Sequence, residues 1–151
     1  MIGDYRVASL VDTNILVYCF DAGALAKRTA ARELLRWGAA ENTIHIPHQA
    51  LIEFVSVVTR ETRGGPLLPQ PEAIRQAEGF MTDFLVLYPN DQVFRTALRG
   101  MAAYRLPWYD AHLWAYAEHY GIPEILSEDF QHGRWYGRVR VRNPFVELGL
   151  A

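Results

Sequence analysis

Four acidic residues stand where an alternating β/α chain would place chemistry. Asp12 follows the apolar run Val7-Ala8-Ser9-Leu10-Val11 and opens the segment Asp12-Thr13-Asn14-Ile15-Leu16-Val17-Tyr18. Such a run reads as a buried parallel strand ending at Asp12. Ligands of open α/β sheets bind outside the carboxyl ends of the strands. A cap on the helix beginning near Thr13 is the other use of the same aspartate. Glu53 lies on a helix whose Leu51, Phe54, Val55 and Val58 form an apolar stripe, opposite Gln49, Glu53, Ser56 and Arg60. A solvated face is its ordinary explanation. Asp110 heads a helix with Leu113, Trp114 and Ala117 at i+3, i+4 and i+7, which puts the acid on the apolar stripe. An ionised carboxylate there is costly unless partnered, by backbone N–H groups at the helix start or by a bound cation. Asp129 follows a short strand as Asp12 does, in Ser127-Glu128-Asp129-Phe130, where a turn would also use it. Glu128 is expected at the surface.

All four acids fall at strand ends or on the early turns of the following helices, which is one rim of a parallel sheet. Carboxylates about 4 Å apart repel by roughly 4 kcal/mol at an effective dielectric near 20. A cluster of this kind needs protonation or a divalent cation. Hard cations such as Mg²⁺ or Mn²⁺ prefer oxygen ligands and keep waters. One held here would activate water and stabilise charge on a phosphodiester.

The elements that position these acids alternate along the chain. After the first strand come a helix from about Ile15 and an amphipathic helix from Leu25 to Ala40. Thr43 to Ile46 reads as a second strand. A long helix runs from about His48 to Thr62, stopped by Gly64-Gly65-Pro66. Pro71 opens a helix to about Phe84, Leu85 to Tyr88 forms a third strand, and Asp91 to Tyr104 another helix. A helix from Tyr109 ends at Tyr120 before Gly121. Ile125 to Ser127 and Val139 to Val141 are the fourth and fifth strands. The expectation is one α/β domain over residues 1–151, a three-layer α/β/α arrangement around a mostly parallel sheet of about five strands.

Bulk properties narrow the class. The 151 residues suffice for one core, half are hydrophobic, and no low-complexity tract interrupts them. No apolar stretch is long enough to span a membrane, and the N-terminus lacks a secretory-signal layout. Cys19 is the only cysteine, expected to pack as a small hydrophobe, and fits a reducing cytoplasm. The formal net charge of −2 requires any nucleic-acid contact to be local. Arg138, Arg140 and Arg142 alternate with Val139 and Val141, with Arg134, Trp135 and Tyr136 just upstream. Either this arginine face protects an edge strand or it contacts phosphates. The five histidines lack zinc-ligand spacing, and His112 and His119 are expected on polar faces. Trp108, Trp114 and Tyr116 read as core or dimer packing.

Leu10 to Tyr18, Gln49-Ala50-Leu51-Ile52-Glu53-Phe54, Tyr109-Asp110-Ala111-His112-Leu113 and Leu126-Ser127-Glu128-Asp129-Phe130 together resemble the PIN-domain ribonucleases. Within them, the chain is most similar to the VapC-like toxins of bacterial toxin–antitoxin pairs. The resemblance implies that Asp12, Glu53, Asp110 and Asp129 organise Mg²⁺ or Mn²⁺ for endoribonucleolytic cleavage. Thr13, Asn14 and Ser127 match supporting positions. His132 departs from a position where related chains often carry an acid. The resemblance further implies a homodimer and a small antitoxin whose tail lies between the first helices and the acidic rim. Exposed Ile52, Val57 and Trp37 would be covered by such partners. A housekeeping RNA-processing nuclease and a non-catalytic nucleic-acid-binding module of the same fold are the alternatives. A haloacid-dehalogenase-like phosphatase would want an aspartate where Asn14 stands.

Overall fold

The computed structural model describes residues 6–150. Among them, β1 (Ser9–Val11), β2 (Ile44–Pro47), β3 (Leu85–Leu87), β4 (Glu124–Leu126), β5 (Trp135–Tyr136) and β6 (Val139–Arg142) form one sheet in the order β3-β2-β1-β4-β6-β5. Every pairing is parallel except the β5–β6 hairpin at one edge. The helices are α1 (Thr13–Tyr18), α2 (Leu25–Glu41), α3 (His48–Val58), α4 (Gln70–Asp83), α5 (Asp91–Tyr104), α6 (Trp108–Tyr120) and α7 (Pro144–Glu147).

Alternation along β1 sorts the core into two. Leu10 points to the layer of α5 and α6, where it meets Val93, Ala97, Trp114, Ile125 and Val141. Val11 points the other way, into Ile15, Leu34, Ile46, Phe54 and Phe145 on the side of α1 to α4. A sheet buried on both faces explains the continuous apolar reading of β1.

Strand order reverses at β1. The chain moves from β1 to β2 and β3 on one side, then returns to lay β4 and β6 on the other. Parallel sheets open a crevice where the order switches, and here it lies between the carboxyl ends of β1 and β4. The Asp12 N–H donates to the Leu126 carbonyl at 3.0 Å, so the ladder extends to the first acid itself.

Several expectations shift. The sheet has six strands among the described residues, the addition being the two-residue β5, too short to show a period. Because β5 covers β6, the arginine-bearing strand is not an edge strand, and edge protection does not explain its charges. Helix α3 stops at Val58 rather than Thr62, because Leu68 N–H folds back onto the Val58 carbonyl at 2.9 Å. Cys19 caps the end of α1 and is buried, and burial pushes its thiol up to about 12. Glu128 is not a free surface residue. It accepts from Tyr18 Oη at 2.6 Å and from Lys27 Nζ at 3.0 Å, tying the loop after β4 to α1 and α2. No helix among the described residues is long and apolar enough to cross a membrane.

Candidate active site

The crevice between β1 and β4 gathers the acids of the rim. Asp12 is 7% exposed and caps α1, its Oδ1 accepting from Thr13 N–H at 2.7 Å. The helix cap and the acid at the end of β1 are therefore one residue. Its Oδ2 accepts from Ser127 Oγ at 2.6 Å. The Ser127 hydroxyl, fully buried just after β4, also accepts from Asp129 N–H at 3.0 Å, so it links the first acid to the last. Asn14 stands in the first turn of α1. Its Nδ2 reaches Asp129 Oδ2 at 3.2 Å and, more weakly, Asp12 Oδ2 and Ser127 Oγ, both at 3.4 Å. Glu53 accepts from Thr13 Oγ1 at 2.8 Å and from Gln49 Nε2 at 2.9 Å. Asp110 sits half-buried in the first turn of α6.

Electrostatics ties these groups together. Burial pushes the Asp12 carboxyl up from 3.8 to about 7, against the lowering hydrogen bonds from Ser127 and Thr13 and with added repulsion from Asp129 and Asp110. Asp110 is raised by burial, then by Asp129 and Glu53. Among the described residues, none of the four carboxylates is joined to a lysine or arginine. The donors to Asp12, Glu53 and Asp129 are all neutral.

The acids line an open cavity of about 900 Å³, which Phe94, Trp108, Tyr109 and Ile52 also line. His112 lines it too, rather than lying on a solvated helix face. Its Nδ1 is 2.7 Å from Gln49 Oε1, and burial lowers its pKa against the raising effect of Glu53. Gln49 and His112 are the site residues that sequence reasoning passed over. The signal for Gln49 was its i, i+4 spacing to Glu53.

No three acidic, histidine or cysteine side chains among the described residues are drawn together as a ready-made metal cage. Mutual repulsion holds carboxylates apart without a countercharge, and Glu53 and Asp129 are engaged by neutral donors instead. The donor chemistry still fits a hard cation, since every candidate atom is oxygen. Asn14 Oδ1 adds a buried oxygen with no hydrogen-bond partner. Such atoms are uncommon in native interiors and mark a place for an ion or water.

The arginines part company. Arg142 is spent internally, with Nη1 2.7 Å from buried Glu124 and Nε 2.9 Å from Glu147, so it is withdrawn from the phosphate-binding set. Arg138 lies in the β5–β6 turn with its side chain 87% exposed, 3.3 Å from Glu118. Arg140 is exposed opposite Trp135, and Arg134 lies over the Tyr136 ring at 4.6 Å. His132 Nδ1 accepts from Asn143 N–H at 2.9 Å and holds the loop after β4 to the end of β6.

The PIN domain family model matches residues 9–136. Among solved structures, a toxin–antitoxin complex from Klebsiella pneumoniae is similar at 17% identity and a TM-score of 0.66, over 91% of this chain and 98% of that one. DNA-bound VapBC from Salmonella typhimurium shows 15% identity and a TM-score of 0.67, over 90% and 97%. Mycobacterium tuberculosis VapC20, a toxin that cleaves the sarcin-ricin loop, shows 19% identity and a TM-score of 0.61, over 78% and 87%. No curated protein matches at a significant level.

Proposed function

The chain belongs to the PIN domain family, and we propose that it is a metal-dependent endoribonuclease serving as the toxin of a toxin–antitoxin pair. The observation that carries this reading is Asp12, buried at the switch point beside Asp110 and Asp129 without a cationic partner. A buried acid with a pKa near neutrality beside two like charges is the arrangement a divalent cation resolves.

In this reading Asp12, Asp110 and Asp129 hold Mg²⁺ or Mn²⁺, with Glu53 bound directly or through water. A cation held by these residues would supply a polarised water and would neutralise charge on the phosphodiester. Ser127 and the Thr13 N–H keep Asp12 aimed at the crevice and favour its ionised form. The Asn14 amide sits between Asp12 and Asp129 and reduces their repulsion. That role for Asn14 leaves no second aspartate for a phosphatase of the haloacid-dehalogenase type. Arg134, Arg138 and Arg140 hold the RNA backbone.

The solved toxin–antitoxin complexes support a small antitoxin as partner. We place its tail in the groove between the first helices and the acidic rim, occluding RNA. A homodimer would cover Ile52, which is 59% exposed on α3. A single thiol fits the reducing cytoplasm where we place the protein. The test is RNA cleavage by wild type, Asp12→Asn and Asp110→Asn, with and without EDTA. Both variants and the chelated enzyme should lose cleavage, at least a hundredfold in rate, with the fold retained. Full cleavage by either variant, or in excess EDTA, would overturn the reading.

A further inference from the structure

Both oxygens of Glu53 are held, and one of the holders leads to another helix. Thr13 Oγ1 donates to Oε2 at 2.8 Å, and Gln49 Nε2 donates to Oε1 at 2.9 Å. Gln49 precedes Glu53 by four residues, so the two side chains are neighbours on one face of α3. The orientation of the amide is forced. Its nitrogen faces Glu53 and, at 3.4 Å, the Tyr109 carbonyl oxygen, and both of these only accept hydrogen bonds. Its oxygen is therefore turned to His112 Nδ1, 2.7 Å away. An amide oxygen also only accepts, so Nδ1 must carry the proton.

The imidazole ring is itself confined. It meets Tyr116 edge-on at 5.4 Å between centroids, and Trp108 at 5.8 Å with the rings tilted. His112 lies two residues beyond Asp110 on α6. The chain of bonds Glu53–Gln49–His112 thus crosses from the helix bearing one acid to the helix bearing another, along the cavity wall. Both bonds run between side chains, so neither belongs to the backbone ladder of α3 or α6.

We propose that Gln49 and His112 are positioning residues that hold Glu53 in register with Asp110 for the cation and the scissile phosphate. The inference rests on the metal-dependent reading above. Without the tie, Glu53 retains only its Thr13 bond and turns about its outer torsions. The cost then falls on the geometry of the site rather than on the fold. Groups that orient metal ligands in this way commonly change metal affinity ten- to a hundredfold when removed.

The experiment compares Gln49→Met, His112→Phe, His112→Gln and Glu53→Gln in the full chain, with Gln49→Met also combined with Glu53→Gln. Mn²⁺ is the probe, its affinity read by calorimetry beside the melting temperature of the metal-free protein. Gln49→Met and His112→Phe should each weaken Mn²⁺ about tenfold while the metal-free melting temperature changes little. His112→Gln, which retains an N–H donor, should recover part of the loss. The double variant should bind as Glu53→Gln alone does, because both changes act through one carboxylate. Wild-type Mn²⁺ affinity in Gln49→Met and His112→Phe, with Glu53→Gln weakened, would reduce the tie to packing and overturn the inference while leaving the metal reading intact. Unchanged Mn²⁺ binding in Glu53→Gln would likewise overturn the inference, since Asp12, Asp110 and Asp129 would then hold the ion without Glu53, whereas no Mn²⁺ binding to the wild type would remove both.

Discussion

In the metal-free protein, Asp12 binds a proton between its ordinary 3.8 and about 7 that it releases in the unfolded chain. The folded state therefore holds more protons across that window, and stability falls as pH rises through it. Asp12→Asn is neutral in both states. Its amide oxygen still accepts from Thr13 N–H, and its nitrogen meets Ser127 Oγ. Urea unfolding in EDTA should show the variant gaining on wild type by roughly 4 kcal/mol at most between pH 4 and 8. Parallel stability profiles for the two proteins would contradict the burial of this acid. Arg142 makes the opposite case. Its guanidinium faces Glu124, which is 4% exposed and whose pKa burial raises. Arg142→Gln should destabilise by about 3 kcal/mol, read by denaturant titration. Any loss of RNA binding in that variant would follow from folding. The rim position of Asp12, Asp110 and Asp129 was legible because each follows a strand or opens a helix, and that of Glu53 because it lies in the second turn of the helix after β2. Gln49 with His112, and Arg142 with Glu124, were not. Those partnerships join residues far apart in the chain and exist only once helices and strands have packed.

At the level of elements, the first four strands were readable from short apolar runs, since a sheet covered on both faces needs no alternation. The fifth strand read, β6, was visible in its alternation of valine and arginine, but its partner β5 was not, because a two-residue strand has no period and its pairing is set by the turn at Gly137, where φ is +62°. The β5–β6 hairpin moves β6 inward and places Arg138 in a turn rather than on a strand face. Helix packing offers a sharper check. A Cβ at Gly100 on α5 would fall 2.4 Å from the Trp114 ring on α6, whereas one at Gly79 on α4 meets nothing within 4 Å. Gly100→Ala should lose about 1–3 kcal/mol to overpacking. Gly79→Ala should gain up to about 1 kcal/mol from helix propensity. Thermal unfolding of the pair measures both, and equal shifts would show that α5 and α6 are not so closely apposed.

For the whole molecule, charge and partners decide what the site meets. A chain of net charge −2 approaches RNA only where cations are concentrated. Arg134, Arg138 and Arg140 are all exposed around the hairpin. Replacing the three by alanine should weaken binding evenly across RNA sequences. It should also lower the slope of log affinity against log salt by about 2 to 3, measured by fluorescence anisotropy. An unchanged slope would remove the hairpin from the interface. The family was legible from four motifs in order, but the shape of the cavity and the covering of β6 depend on the assembled layers. The central claim is that the acidic rim holds a divalent cation. The most direct measurement is anomalous scattering at the manganese edge from crystals of the protein soaked in Mn²⁺. The account predicts a peak within ligand distance, about 2.2 Å, of Asp12 and of at least one of Asp110 and Asp129, absent in Asp12→Asn. A peak elsewhere, or one at the rim that survives Asp12→Asn undiminished, would contradict it.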